Sequence, residues 1–279
     1  MTESCFAVTI ENNIAHIVLN RAKAFNAMPR PFWNELPKIV RDISDNAKAR
    51  CIVISSTGKH FTAGMDISVF TDGDGVSASG GDPYSRAEAF RQFVLTLQGS
   101  FNCLDEARMP VIAAIQGGCI GAGVDMTSAC DIRYATEDAF FQIAEINIGM
   151  TADVGTFPRL CKLIPEGWVR ELAYSGRRLS AQRAKEIGLV NDVFATQDAM
   201  LAHVMELARE IAAKAPVAVA GSKRMINHAR DHSIADGLDY IATWQAGMFS
   251  PPHMMEAFAA KAQKRDAVFP DLAPLRKEM

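Results

Sequence analysis

The sequence contains no CxxC pair, no GxxxxGK(S/T) phosphate loop, no GxSxG nucleophile elbow and no GxGxxG run. These absences remove zinc ribbons and dithiol redox pairs, P-loop nucleotide hydrolysis, α/β-hydrolase serine chemistry and a Rossmann dinucleotide site from the expected activities. His228 and His232 have helical spacing, but the segment HARDH lacks the Glu of HExxH, so they read as a solvated helix face and no metal is expected.

Charge is nearly balanced: Lys and Arg total 29 against 32 Asp and Glu, a net −3. No basic excess points to nucleic acid, and no like-charge run suggests an interaction tail. An anionic ligand would need locally placed cations. No apolar stretch is long enough to span a bilayer. The start, MTESCFAVTI, has no basic segment before an apolar run, and the end, RKEM, is not a Ser-Lys-Leu address. The expected location is therefore the cytoplasm, with a mitochondrial or peroxisomal one as the alternative, and no membrane partner is expected. The six cysteines are unpaired in sequence and sit mostly in apolar stretches, as buried reduced thiols do.

What is present is ample core material: 279 residues, 49% of them apolar, enough for one large domain with or without an appendage. Ala7–Ile10 and Ile14–Leu19 read as a hairpin about Asn12-Asn13. A helix is predicted from about Pro31 to Ser44, with Pro37 arguing against an unbroken one. Cys51–Ser55, Val111–Ile115, Ile132–Ala135 and Ala139–Ile143 read as short strands. Thr71–Pro83 is Gly-, Ser- and Asp-rich and reads as a loop, either a plain linker or an entry flap. A helix is predicted from Ser85 to Glu106, and another over Ala181–Ile187, capped by Ser180 and ended by Gly188. Met200–Ala213, Pro216–His232, Ile234–Phe249 and Met254–Arg265 are helical stretches. The division is thus a mixed α/β core, residues 1–199, and a helical region, 200–279.

Two segments share a design. GKHFTAGMDI follows the Cys51–Ser55 strand, and GGCIGAGVD follows Val111–Ile115. Small residues admit a ligand close to the main chain, and free N–H groups at such turns can converge on one negatively polarised oxygen. Either segment alone reads equally as an ordinary strand-to-helix turn.

Together with Asn20–Asn26 (NRAKAFN), GGCIGAGVDMTSACDIRYA and SAQRAKEIGLVNDV, these segments resemble the crotonase family, also called the enoyl-CoA hydratase/isomerase superfamily. The resemblance spans nearly the whole chain. It implies a spiral of ββα units with a helical C-terminal trimerisation region, hence a homotrimer or a dimer of trimers. It implies an acyl-CoA thioester as substrate, with coenzyme A part of that substrate and no separate cofactor. By position, the N–H groups of Met65 and Ala122 would form the oxyanion hole. Ala122 stands where Gly is common; it keeps the N–H but requires a conformation open to an L-residue. Ala63, Gly64, Asp66 and Ile67 would line the thioester and adenine side. Lys23 and Lys59 match basic positions near the CoA phosphates, and read alone are surface charges.

The acids decide the reaction. Asp125 follows the second turn, and Glu145 and Asp153 flank Ile146–Thr151. Carboxylates in an apolar pocket gain the raised pKa values that acid–base work needs. In a hydratase of this family Asp125 and Glu145 would both be Glu and hold a water. Ala139–Val154 (AFFQIAEINIGMTADV) is instead similar to the dienoyl-CoA isomerase branch. There, acids at Glu145 and Asp153 move the protons that convert a 3,5-diene to a 2,4-diene, a step of fatty-acid β-oxidation. Asp153 read alone is also a candidate helix cap. The alternatives are an enoyl-CoA hydratase using Asp125 and Glu145, and a non-catalytic CoA- or RNA-binding homologue. Phe70, Phe90 and Phe157 are candidate pocket walls or core.

Overall fold

The computed structural model describes residues 4–71 and 81–276. Most of the stretch expected as a flap, and the side chain of Phe70, lie outside the described residues.

The chain opens with β1 (Phe6–Glu11) and β2 (Ile14–Leu19), an antiparallel hairpin. Its turn residues Asn12 and Asn13 have φ of +50° and +63°, the paired left-handed conformation that matches strand twist in a two-residue hairpin. Then β3 (Cys51–Ser56), β4 (Val111–Ile115), β6 (Ile132–Thr136) and β9 (Asp192–Phe194) add in parallel, giving one sheet in the order β1-β2-β3-β4-β6-β9. A second sheet holds β5 (Gly118–Ile120), β7 (Phe140–Gln142) and β8 (Leu179–Ser180) in the order β5-β7-β8. β5, β8 and β9 go beyond the strands expected from the sequence. Three residues or fewer show no periodicity, and GCI lies inside a glycine-rich run. The short turn between β6 and β7 joins the two strands and carries the chain from one sheet to the other.

The parallel strands read as continuous apolar runs because both faces are covered. Ile52, Ile54, Val111, Ala113 and Ile115 enter the core beneath the helices Arg30–Asp45 and Pro83–Glu106. Their alternates Cys51, Val53, Ile112 and Ala114 pack with Met200, Val204 and Ala208 of the helix Gln197–Ala212. That helix spans residue 199 and belongs to the sheet packing. Beyond it lie Pro216–Asp231, Ile234–Met248 and Pro251–Gln263. Lys223 docks the first of these: its buried ammonium donates to the carbonyls of Leu104 (2.8 Å) and Met109 (3.1 Å) and pairs with Asp131 at 2.8 Å.

The helix Arg30–Asp45 runs unbroken through Pro37, against expectation. Proline removes the N–H that would bond to the carbonyl of Trp33. Ser100 Oγ donates to that carbonyl at 2.8 Å, so the orphaned acceptor is satisfied from a neighbouring helix. The helix Ala181–Glu186 forms as predicted, with Ser180 Oγ accepting from Arg183 N.

Candidate active site

Because β3 and β4 are parallel neighbours, the turns that follow them emerge on the same side of the sheet, the usual location of ligand sites in such sheets. The turns are laced together. Phe61 N donates to Gln116 O (2.8 Å), Thr62 N to Gly118 O (3.0 Å) and Ile120 N to Thr62 O (3.2 Å). Gly64 has φ +86°, and a β-carbon there would lie 2.6 Å from Ile120 O and 3.4 Å from Ala122 N. The Met65 and Ala122 segments are therefore in direct contact. Among the described residues neither the N–H of Met65 nor that of Ala122 has an acceptor. The unusual backbone falls on Gly121 (φ +53°, ψ −121°), whereas Ala122 begins the helix Ala122–Ser128 with negative φ. Alanine is accommodated at 122 because Gly121 absorbs the strain.

The small sheet brings up the first acid. β5 and β7 pair in parallel with Ile120 opposite Gln142, and Gly121 N donates to Gln142 O at 2.9 Å. The continuations of both strands leave together, and a β-carbon on Gly121 would sit 3.3 Å from Glu145 Oε1. Glu145 thus stands beside the residue that precedes Ala122. Its Oε2 is buried and has no partner among the described residues.

Asp125 is 1% exposed. Its Oδ1 accepts from Thr156 N (2.7 Å) and Thr156 Oγ1 (2.8 Å), and its Oδ2 is buried with no partner among the described residues. Burial, then the charge of Glu145, pushes its carboxyl up to about 7. Burial raises Glu145 as well, and the charge of Asp153 raises it further. Asp153 is half-buried and raised by burial. Its side chain caps no helix: the cap position before Thr156–Leu163 is Gly155, with no side-chain bond. Gln98 Nε2 holds the Asp153 carbonyl at 2.7 Å. All three predicted acids therefore share one electrostatic neighbourhood.

The remaining predicted residues line the first turn. Ala63 and Ile67 are exposed, Gly64 is buried, and Met65 is half-buried. Asp66 accepts from Ser68 N (3.1 Å) and meets Arg21 at 3.6 Å, so its carboxylate braces its own loop; the Ser68 bond, before the Arg21 charge, holds it below the usual range. Lys23 and Lys59 are exposed on adjoining turns. Asn26 joins those turns by donating to Thr57 O (2.8 Å) and His60 O (2.9 Å). Phe157 packs against the core and Phe90 is exposed on its helix. Sequence reasoning missed Thr156 and Gln98. The only trace of Thr156 is the Gly155-Thr156 pair shortly after Asp153, which reads as a plain helix start. Among the described residues no group of three His, Cys, Asp or Glu has a metal-binding arrangement.

The titration of Asp125 has a consequence for stability. Its folded pKa lies above the ordinary aspartate value of 3.8, so the stabilisation from its protonated form is full below pH 3.8 and is lost as pH rises to about 7. The loss is on the order of 4 kcal/mol at neutral pH. Asp125→Asn is therefore expected to raise Tm relative to wild type at pH 8 and to change it little at pH 4. Thermal unfolding at both pH values checks this; an equal shift at both would show that Asp125 does not titrate in that window.

These features match known proteins. The family profile described as enoyl-CoA hydratase/isomerase matches residues 9–272. The chain is 43% identical over 265 residues to the mitochondrial Delta(3,5)-Delta(2,4)-dienoyl-CoA isomerase of Mus musculus, covering 95% of this chain and 81% of that one. It is 37% identical to the peroxisomal enzyme of the same name from Arabidopsis thaliana, covering 94% of each. The crystal structure of enoyl-CoA hydratase from Bacillus anthracis superposes with a TM-score of 0.84 at 28% identity, over 95% of this chain and 99% of that one. The chain belongs to the enoyl-CoA hydratase/isomerase family. Its extended similarity to the two isomerases makes it an isomerase within that family.

Proposed function

We propose that this chain converts 3,5-dienoyl-CoA to 2,4-dienoyl-CoA, as a step in fatty-acid β-oxidation. What supports this reading is that Asp153, whose side chain caps no helix, is close enough to Glu145 and Asp125 for its charge to act on both, and that Glu145 stands beside Gly121, next to Ala122.

The thioester oxygen sits between the N–H groups of Met65 and Ala122. Such donors stabilise the enolate formed when C2 loses a proton, each by about 3–4 kcal/mol. Moving both double bonds toward the thioester removes a proton at C2 and adds one at C6, at opposite ends of the conjugated unit. Asp153 takes the C2 proton, and Glu145 delivers one at C6. The electrostatics support that order: the charge of Asp153 favours the proton on Glu145, and the charges of both favour it on Asp125. The ionised acid is then the base and the neutral one the donor. Asp125 tunes the pair or stabilises the dienolate. Lys23 and Lys59 meet the CoA phosphates, and Ala63, Gly64, Asp66 and Ile67 line the approach. No separate cofactor is part of the reading.

A spectrophotometric assay with 3,5-dienoyl-CoA and 2-enoyl-CoA tests it. Growth of the 2,4-dienoyl chromophore is the expected result. Loss of the enoyl chromophore with no dienoyl product would establish the hydratase alternative, in which Asp125 and Glu145 hold a water.

The helical region 200–279 is proposed as the oligomerisation surface of a trimer or a dimer of trimers. It exposes Ile234, Leu238, Phe249 and Phe258, each more than half accessible, a dense apolar display for a lone chain. A monomer in sedimentation velocity would overturn this. No described helix is long and apolar enough to cross a membrane. Cytoplasm is the compartment proposed from sequence; the organellar names of the relatives mark the alternative, which cell fractionation separates.

A further inference from the structure

We propose that Thr156 is a positioning residue for this reaction: its two donors hold Oδ1 of Asp125 and leave Oδ2 as the oxygen that works in the acid cluster. The inference rests on the function proposed above for its kinetic consequence, but not for its geometry.

A carboxyl group can turn about its own axis and present either oxygen. Here the choice is made by one residue. Thr156 N and Thr156 Oγ1 both donate to Oδ1, at 2.7 and 2.8 Å. Oδ2 is sealed from solvent and has no partner among the described residues. A bare carboxylate oxygen is costly in such a place, whereas a protonated one is an O–H donor. With Oδ1 committed as acceptor, the proton of neutral Asp125 belongs on Oδ2. The charge that acts on it most strongly is that of Glu145, whose Oε2 is also buried and has no partner among the described residues. Thr156 therefore fixes where the third acid of the cluster keeps its proton.

The competing account is that Asp125 only caps a helix. Gly155, before the helix Thr156–Leu163, has no side chain to do so, and Asp125 accepts the first N–H in its place. The two accounts separate because valine at 156 keeps the backbone N–H and the shape but removes the hydroxyl. The capping bond survives and only the second hydrogen bond is lost.

Thr156→Val is expected to lower kcat for dienoyl isomerisation roughly tenfold, the value of one well-formed hydrogen bond, with KM nearly unchanged. Thr156→Ser should restore it. The hydroxyl favours the ionised form of Asp125, so its loss should move the Asp125 titration to higher pH. Carbon-13 NMR of the aspartate carboxyls, assigned by difference with Asp125→Asn, reads this in the protein without substrate. Glu145 and Asp153 also face this group, as do the Cys119 thiol and the Arg159 guanidinium, so the titration is followed at Asp125 itself. In the Asp125→Asn background, Thr156→Val should cost less than about twofold. The same tenfold loss there, or an unmoved Asp125 titration in Thr156→Val, would overturn the inference. If valine prevents folding, Thr156→Ala carries the same comparison. Absence of isomerase activity in the wild type would refute the proposed function instead, and the NMR titration would still judge Thr156.

Discussion

Asp153→Asn is expected to reduce kcat on 3,5-dienoyl-CoA by about a thousandfold, the middle of the range for removing a positioned general base. Binding of the CoA ester should stay within a few fold, because the thioester and phosphate contacts assigned to Met65, Ala122, Lys23 and Lys59 are untouched. Thermal stability should not fall. Asp153 caps no helix, and burial raises its pKa, so amidation removes a charge that the fold disfavours. Loss of activity with intact stability and binding is a combination that a structural role cannot produce. Steady-state kinetics, a binding isotherm and a melting curve on one preparation check all three parts. The hydratase alternative predicts something else: its water lies between Asp125 and Glu145, so Asp153→Asn would leave hydration of 2-enoyl-CoA nearly intact. Full dienoyl isomerase activity in the variant would sink the assignment of Asp153.

Gly64→Ala is expected to act through geometry and to damage both activity and stability. The added β-carbon would meet the Ile120 carbonyl at 2.6 Å, a backbone atom that cannot swing aside, and Ala122 N at 3.4 Å. It would also sit on a residue with φ +86°, where an L-side chain is strained by roughly 1–2 kcal/mol. Relief requires the two turns to move apart, which separates the amides of Met65 and Ala122. A fall in kcat of about a hundredfold follows if one donor is lost from the enolate oxygen. Tm should drop on the order of 5 °C. An unchanged kcat would show that these amides do not act together on the substrate. The contrast between the two variants separates the two halves of the proposed site: on that reading Asp153→Asn removes chemistry and spares the scaffold, whereas Gly64→Ala disturbs the scaffold that aims the proposed oxyanion donors.

Much of this site was legible in the sequence. The apolar runs of Cys51–Ser55 and Val111–Ile115 marked strands covered on both faces, and a small-residue turn after each marked where main-chain N–H groups stay without acceptors among the described residues. The Asn12-Asn13 hairpin and the Ser180 cap were readable because their cause is local: the conformational reach of one or two side chains. Pro37 misled for the same reason. Its local effect is real, but the carbonyl it orphans is satisfied by Ser100, a residue remote in sequence. The short strands β5, β8 and β9 were invisible because their partners, not their own residues, make them strands.

The sequence by itself determined the chemistry available: two turns with backbone donors, three acids in a fixed order, no nucleotide or serine-hydrolase motif, and membership of the enoyl-CoA hydratase/isomerase family. Only the tertiary structure decided which of those groups meet. The parallel pairing of β5 with β7 brings Glu145 to Gly121, and the docking of the helix Thr156–Leu163 supplies both donors to Asp125. Asp153 lost its reading as a helix cap only when Gly155 was seen to occupy that place. The physical reason is range. A turn or a cap depends on neighbours a few residues away, whereas strand register and the desolvation that drives Asp125 to about 7 are sums over residues the fold gathers from the whole chain.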